Sequence, residues 1–203
     1  MAGSALPPVG VLALQGDVRE HVALLRSLGA DVREVRTPAQ LAEVVGLVIP
    51  GGESSVMDKL SRLFGLRDPL RERIAQGMPV YGTCAGLIML AERLHDAMPG
   101  QQTLGGLDVT VRRNAFGNQL DSFETDLAVT ELGDPPVHAV FIRAPVVEEV
   151  GEAVHVLASL DDGRIVAVEQ GRLLGTSFHP EVASETRFHE RFLDHVADAS
   201  AAG

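Results

Sequence analysis

The sequence predicts one α/β domain with three layers: a mostly parallel sheet, helices on both of its faces, and an antiparallel extension. In the first half of the chain, short and wholly apolar runs alternate with amphipathic stretches. This pattern is typical of parallel strands that are covered on both sides. In the second half, strand-like segments follow one another between turn residues, as they do in antiparallel sheets. The length of 203 residues suits one domain of ordinary size.

The first half begins with a strand and continues as a strand–helix alternation. Asp17 follows the first strand and is positioned to cap a helix that stops at Gly29. Thr37 and Pro38 are typical of the first positions of a short helix. The predicted strands are 9–14, 31–35, 47–49 and 78–82, and the predicted helices are 18–28, 38–45, 55–63, 69–76 and 87–94.

Strands dominate after Gly105. A hairpin turn is predicted at Asp161-Asp162-Gly163, between two of them. The predicted strands are 107–112, 126–130, 139–143, 154–160, 164–169 and 173–178, and an amphipathic helix at 185–196 closes the chain. We expect the domain to span residues 9–198, with a disordered start at 1–8 and a tail at 199–203.

The composition excludes several functions. With 28 acidic and 17 basic residues the formal charge is −11, so no broad surface favours nucleic acid or an anionic membrane. No apolar run approaches the ~20 residues of a membrane span, and the opening residues do not resemble a signal peptide. The single cysteine, Cys84, excludes internal disulfides and multi-cysteine metal sites. We expect a cytoplasmic protein.

Cys84 lies in a Gly-x-Cys-x-Gly pattern between a predicted strand and a predicted helix. Gly82 and Gly86 permit a tight turn that forces the nucleophile into an uncommon backbone conformation. The helix start directs N–H groups at the sulfur, which favours the thiolate, and it offers the Ala85 N–H to an oxyanion. A structural cysteine at a packing turn is the alternative interpretation.

His179 is the best candidate for the base that activates this thiol. It follows an apolar strand and begins a His-Pro-Glu sequence in which Pro180 favours an extended backbone. Glu181 then lies on the same side and can reach the far ring nitrogen. A strand end with an unrelated His and Glu is the alternative. The other histidines are interpreted as solvated or packing residues: His21, His189 and His195 on helices, His95 at a helix end, and His138 and His155 in or beside strands.

Gly51 and Gly52 end the strand that precedes the strand of Cys84. In a parallel sheet both loops emerge at the same carboxyl edge, where ligands bind. Two glycines let backbone N–H groups turn inward, which suits an oxyanion hole or a substrate carboxylate. Ser54 or Ser55 is equally well interpreted as a helix cap. The spacing of a phosphate-binding loop is absent.

These motifs, in this order, resemble the class I (triad) glutamine amidotransferases. The match narrows to the glutaminase subunits of pyridoxal 5′-phosphate synthase, because other triad glutaminases do not share the segments at Arg113 and Arg143. The resemblance extends from Val9 to the last helix, and it departs from the family at Asn118, where arginine is common. The segments that carry it are 12–16, 20–21, 50–55, 82–88, 113–117, 121–124 and 140–145.

The resemblance implies a role for each matching residue. Cys84 is the nucleophile, and His179 and Glu181 complete the triad. An arginine can bind an α-carboxylate bidentately, and Glu53 can meet an α-ammonium group. The implied oxyanion residues are Gly51, Gly52 and Ala85, and the implied glutamine-binding residues are Gly52, Glu53, Ser54, Arg113, Ile142 and Arg143.

The implied activity is hydrolysis of L-glutamine to L-glutamate and ammonia through a thioester on Cys84. The implied partner is a synthase subunit, a TIM barrel whose dodecameric core carries twelve glutaminases and receives the ammonia. Docking would flip a peptide of the Gly51–Gly52 loop and activate the glutaminase. No metal and no cofactor are expected. The alternatives are a triad glutaminase of another pathway, a free-standing γ-glutamyl hydrolase, or a catalytically silent regulatory subunit.

Overall fold

A computed structural model describes residues 7–115 and 122–201 of the protein. That part of the chain contains one large sheet, one small sheet, six α-helices and a short 3-10 helix at Thr130–Leu132. The helices are α1 (Val18–Ser27), α2 (Pro38–Ala42), α3 (Ser54–Leu63), α4 (Arg67–Ala75), α5 (Ala85–Leu90) and α6 (Arg187–Ala201). The strands are β1 (Val9–Leu12), β2 (Val32–Val35), β3 (Gly46–Ile49), β4 (Val80–Thr83), β5 (Ala91–His95), β6 (Leu107–Arg112), β7 (Ser122–Leu127), β8 (Val137–Ile142), β9 (Val146–Val150), β10 (His155–Ser159), β11 (Ile165–Gln170) and β12 (Leu173–Thr176).

The large sheet has a parallel half and a mostly antiparallel half. Its order is β2-β1-β3-β4-β12-β11-β9-β6-β5, and β10 pairs with β11. From β2 to β12 in this order, neighbouring strands are parallel. β11 is antiparallel to its three partners β12, β10 and β9, and β9 is antiparallel to β6. The last two strands, β6 and β5, are parallel to each other. β7 and β8 form a separate antiparallel pair. The predicted fold class is confirmed.

The central strands are buried on both faces. In β3, Leu47 and Ile49 pack into a cluster with α3, α4 and α5, and Val48 packs into a second cluster with α1, α6 and β8. A strand with two covered faces needs apolar residues at every position. This explains the unbroken apolar runs of the first half.

Two helix ends follow their predicted local signals. Thr37 Oγ1 accepts a hydrogen bond from the Gln40 N–H at 3.3 Å, and the Gln40 side chain returns to the Thr37 N–H. Gly29, with φ 83°, follows the end of α1. Asp17 occupies the N-cap position of α1, but its side chain makes no capping hydrogen bond. That carboxylate lies beside His179 instead.

The helix predicted at 87–94 is wrong in its second half. α5 ends at Leu90, and Ala91 takes an extended conformation that begins β5. His95 therefore lies on a strand and not at a helix end. The cause is tertiary: the Arg93 guanidinium binds Thr110 and Asp108, which both lie on β6. Strand pairing overrides the helical pattern here. β9 pairs with the other side of β6 and was not predicted.

Other elements differ from prediction in their bounds. The strands predicted at 126–130 and 139–143 are β7 and β8, which begin and end earlier, and the helix predicted at 185–196 is α6, which begins and ends later. α6 thus continues into the predicted tail. Residues 1–6, 116–121 (with Asn118) and 202–203 lie outside the described residues, and the domain boundaries stay a prediction. Over the described ranges, no helix is long and apolar enough to cross a membrane.

Candidate active site

Cys84 lies at the sharp turn between β4 and α5 and is buried. Its backbone has φ 48° and ψ −101°, which is strained for any residue that carries a Cβ. A Cβ on Gly82 would lie 2.5 Å from the Gly86 carbonyl carbon, and one on Gly86 would lie 2.1 Å from the Ile49 carbonyl oxygen. Both flanking glycines are therefore required by close backbone packing.

His179 follows β12 and lies next to Glu181. Nδ1 of His179 and Oε1 of Glu181 are 2.8 Å apart, and both residues are buried. The His179 N–H donates to the Val140 carbonyl at 2.9 Å, which ties the end of the β12 segment to β8. The extended His-Pro-Glu backbone brings the two side chains to one side.

Charged neighbours favour the protonated form of His179. Burial lowers its pKa, but hydrogen bonds to Asp17, Cys84 and Glu181 outweigh burial and raise the pKa above its usual value. Burial also opposes the charge of Glu181, yet hydrogen bonds with His179 and His21 hold its pKa well below the usual range. An imidazolium beside Cys84 stabilises the thiolate.

The glycine loop after β3 packs tightly against its neighbours. A Cβ on Gly51 would lie 2.4 Å from Cε1 of His179, and a Cβ on Gly52 would lie 2.4 Å from Oε1 of Gln15. Gly52 also has φ 151°, a conformation that L side chains rarely adopt. The same Gln15 oxygen accepts a hydrogen bond from the Glu53 N–H at 2.7 Å. The loop is therefore shaped by contact with His179, the predicted base, and with the segment after β1.

Two backbone hydrogen bonds show which backbone groups near the predicted oxyanion position are already used within the fold. The Gly51 carbonyl accepts a hydrogen bond from the Asp17 N–H at 3.2 Å, and the Cys84 N–H donates to the Thr176 carbonyl at 2.7 Å. The Cys84 amide is thus already used within the fold. Ala85, at the first position of α5, is the predicted oxyanion residue on that side.

Three of the predicted glutamine-binding residues join one hydrogen-bonded group. Nη2 of Arg113 donates to Oε1 of Glu53 at 2.8 Å, and its Nη1 donates to Oε1 of Gln101 at 2.9 Å. Gln101 in turn donates to Oγ of Ser54 at 2.9 Å. The two charges predicted to meet the carboxylate and ammonium of glutamine are therefore paired with each other. Gln101 was not singled out from the sequence.

The capping role considered for Ser54 and Ser55 is wrong. Glu53 is the N-cap of α3, and its carboxylate accepts a hydrogen bond from the Ser55 N–H at 3.3 Å. A carboxylate at a helix N-terminus is favourable because it meets unpaired N–H groups.

Ile142 and Arg143 lie where β8 ends. Ile142 is 39% exposed, and Arg143 has φ 44°, which is uncommon for a residue with a long side chain. Val140, in the same strand, is the residue that accepts the His179 N–H. This strand end therefore lies near the predicted base.

Residues 11–198 match the model of the SNO glutamine amidotransferase family. The chain belongs to this family. It is 66% identical over 205 residues to the pyridoxal 5′-phosphate synthase subunit PdxT of Clavibacter michiganensis subsp. michiganensis, covering 98% of both proteins. It is also 66% identical to the subunit of that name from Leifsonia xyli subsp. xyli, over 97% of this chain and 98% of the relative. A crystal structure of a glutamine amidotransferase superposes with a TM-score of 0.87 at 48% identity, covering 93% of this chain and 98% of that one.

The family predicted from the motifs is confirmed, and the chain is an enzyme of the glutamine amidotransferase type. Besides Gln101, sequence reasoning missed two side chains next to His179 and Glu181. Oδ2 of Asp17 lies 3.3 Å from Nδ1 of His179, so the predicted base faces two carboxylates. His21, interpreted above as a solvated or packing residue, is fully buried and lies 3.4 Å from Oε1 of Glu181.

A sequence signal for His21 exists in the helical periodicity. His21 shares the apolar stripe of α1 with Val22 and Leu25, and His189 shares that of α6 with Phe188 and Phe192. A histidine on an apolar stripe is buried with its helix, so it needs a polar partner. Asp17 carried no comparable signal, because its partner is 162 residues away in the sequence.

One group of potential metal ligands exists among the described residues, and it consists of Asp17, His179 and Glu181. Nδ1 of His179 already forms a hydrogen bond with Glu181. The three residues are therefore explained as a histidine with its carboxylate partners.

Proposed function

We propose that this glutamine amidotransferase is a glutaminase subunit that hydrolyses L-glutamine to L-glutamate and ammonia, and that it delivers the ammonia to a synthase subunit that makes pyridoxal 5′-phosphate. The observation that carries the chemistry is the strained Cys84 beside His179, whose Nδ1 atom lies 2.8 Å from the buried Glu181 carboxylate. The names of the relatives support the pathway.

The reaction follows from the roles of the three residues. His179 takes the thiol proton, and the Cys84 sulfur attacks the side-chain amide carbon of glutamine. The negative charge on the amide oxygen is stabilised by the Ala85 N–H and by the Gly51–Gly52 loop, at about 3–4 kcal/mol per donor. The His179 proton then passes to the leaving nitrogen, so ammonia departs and a thioester remains. His179 next takes a proton from water, which attacks the thioester and releases glutamate and the thiol.

Partner control is proposed to act through the glycine loop. The Gly51 carbonyl is held by the Asp17 N–H, and Gly52 has a backbone conformation suited to glycine. Docking of the synthase would rotate a peptide of this loop so that an N–H faces the oxyanion. The Glu53–Arg113 pair would open to receive the charged groups of glutamine. We propose a dodecameric TIM-barrel core that carries twelve such subunits.

The location proposed for the enzyme is the cytoplasm, because a reactive thiol such as Cys84 persists in a reducing compartment. The free cysteine is compatible with that setting.

The test is glutamate release from glutamine by the chain alone, by the chain with its cognate synthase, and by Cys84→Ala with the synthase. Activity that requires the partner and is lost in Cys84→Ala is the expected result. Full activity of the isolated chain would contradict partner control while keeping the triad. No activity in a verified complex would favour a regulatory subunit instead.

A further inference from the structure

The buried ring of His21 contacts residues next to both the proposed nucleophile and the proposed base. His21 lies on α1, with Nε2 3.1 Å from Oγ1 of Thr83 and 3.4 Å from Oε1 of Glu181. Thr83 immediately precedes the nucleophile Cys84, and Glu181 orients the base His179. A single imidazole therefore contacts both the strand end that carries the thiol and the carboxylate that holds the base.

A second histidine determines which nitrogen of His21 carries the proton. Nε2 of His189, on α6, lies 2.8 Å from Nδ1 of His21. Burial lowers the pKa of His189 to about 3, so this ring is neutral. Its Nδ1 is buried and has no hydrogen-bond partner among the described residues. Because buried N–H groups without an acceptor are rarer than unused acceptors, we assign the His189 proton to Nε2, which donates to His21.

Because Nδ1 of His21 accepts this hydrogen bond, the Nε2 atom of His21 carries a proton that is directed at Glu181 and Thr83. Oε1 of Glu181 thus faces donors on two sides, His179 at 2.8 Å and His21 at 3.4 Å. Its other oxygen is buried without a partner in the described part of the chain. A buried carboxylate depends on the donors it has, since an unpaired charge inside a protein is costly.

Two further titratable groups lie near His189 and Glu181. Tyr81 packs edge-on against His189, and Oδ2 of Asp17 lies 3.3 Å from Nδ1 of His179, the same nitrogen that contacts Glu181. Both His21 and Glu181 are buried. The ring is therefore shielded from solvent and acts on the reaction through its neighbours.

We propose that His21 is a positioning residue of the glutaminase reaction, which keeps Glu181 and the Thr83–Cys84 strand end in the relative placement that presents His179 to the thiol. This role rests on the proposed function, because the reaction it serves is glutamine hydrolysis. Without His21, the Glu181 carboxylate loses one of the two histidines that fix its position, so His179 is held less precisely against the thiol.

The rate of alkylation by iodoacetamide reports how readily the Cys84 thiolate forms, and the signal is specific because Cys84 is the only cysteine in the chain. The rate is measured against pH for the wild type, His21→Leu, His21→Gln and the control His155→Leu, whose ring lies exposed on β10. We expect His21→Leu to move the midpoint of the profile upward by about one pH unit. In the synthase complex we expect it to lower kcat roughly ten- to hundred-fold with little change in KM. His21→Gln keeps a donor near the position of Nε2, so its alkylation midpoint and its kcat should return most of the way to the wild-type values. His155→Leu should match the wild type in both measurements.

A folded His21→Leu with the wild-type alkylation profile and wild-type kcat would overturn the proposal. Where circular dichroism shows that this variant does not fold, His21→Asn takes its place. Its shorter amide reaches towards His189 and not Glu181, so we expect the same shift, and an unchanged profile overturns the proposal equally. Failure of the proposed function looks different: the wild-type complex would release no glutamate, whereas the alkylation profiles would still report on His21.

Discussion

His179 and His138 have the same kind of partners in opposite surroundings. His179 is buried, and its Nδ1 atom faces the carboxylates of both Asp17 and Glu181. His138 is exposed on β8, in the small sheet. Its two ring nitrogens each lie 3.0 Å from a carboxylate oxygen, one of Asp126 and one of Glu124. The pKa of His138 is raised by hydrogen bonds to these two groups.

The difference between the two clusters is water. Around His138, solvent screens the charges, and exposed pairs of this kind contribute little to stability. Around His179 the pair is removed from solvent, so the same attraction is stronger and its loss is costlier. Only His179 also lies beside the strained Cys84, the proposed nucleophile. A histidine with two carboxylates therefore becomes a catalytic candidate through its place at the carboxyl edge of the parallel strands.

The largest effect is expected from Glu181→Gln, which keeps the shape and removes the charge. The neutral amide can no longer stabilise the imidazolium or fix its tautomer, so kcat in the synthase complex should fall by roughly 10³–10⁴-fold. Glutamate release measures this loss. Glu124→Gln is the matched control at His138 and should leave the rate unchanged. A Glu181→Gln enzyme with nearly wild-type kcat would remove the distinction between the two clusters.

A buried ion pair outside the site should matter for stability and not for catalysis. Glu169 is 7% exposed and pairs with Arg191 and His195. Burial alone would raise its pKa, but hydrogen bonds to His195 and Arg191 outweigh it and lower the pKa to about 2. We expect Glu169→Gln to reduce the free energy of unfolding by about 2 kcal/mol at neutral pH, with kcat retained.

The pH dependence of this loss has a definite sign. Because the carboxyl of Glu169 has a lower pKa in the folded state than its usual value of 4.5, its contribution is complete above about pH 4.5 and is lost as the pH falls towards about 2. Denaturant unfolding of the wild type and Glu169→Gln should therefore converge in acid. A difference that grows as the pH falls would contradict this account.

A smaller effect is expected at Asp17, the outer carboxylate of His179. Asp17→Asn removes a partner 3.3 Å from Nδ1 while the closer Glu181 remains. The imidazolium is then less stabilised, so the Cys84 thiolate should form only at higher pH, and kcat should fall roughly three- to ten-fold. The midpoint of Cys84 alkylation against pH checks the direction. A midpoint that moves downward would show that Asp17 does not support the charged ring.

The smallest effect is expected at His138 itself. His138→Gln removes two exposed pairs, which water and salt already screen. We expect the same Tm and the same glutaminase rate as the wild type. A clear drop in Tm at low salt would show that this surface cluster contributes more than exposed pairs usually do.

Much of the site was predictable because its signals are local. The Gly-x-Cys-x-Gly spacing specifies a tight turn by steric exclusion. In the structure, the backbone packs so closely at Gly82 and Gly86 that neither position has room for a side chain. The His179–Glu181 contact depends on residues two apart on an extended backbone. The unbroken apolar runs predicted strands covered on both faces, and β3 is such a strand.

The rest depends on contacts between distant segments. The periodicity of 87–94 is helical, yet Arg93 and its partners on β6 turn its second half into β5. The Glu53–Arg113 pair joins residues 60 positions apart. No local pattern encodes such a pairing, because it arises only when the sheet brings the two loops together.

Sequence patterns alone predicted the family, the parallel sheet and the three residues of the proposed triad, since backbone sterics and apolar periodicity act over a few residues. The surroundings of the proposed triad became visible in the folded chain. They are Asp17 beside His179, the buried His21 and His189 behind Glu181, and Arg113 paired with Glu53. The physical reason is burial, because a polar group excluded from water must find its partner in whatever segment the fold packs against it.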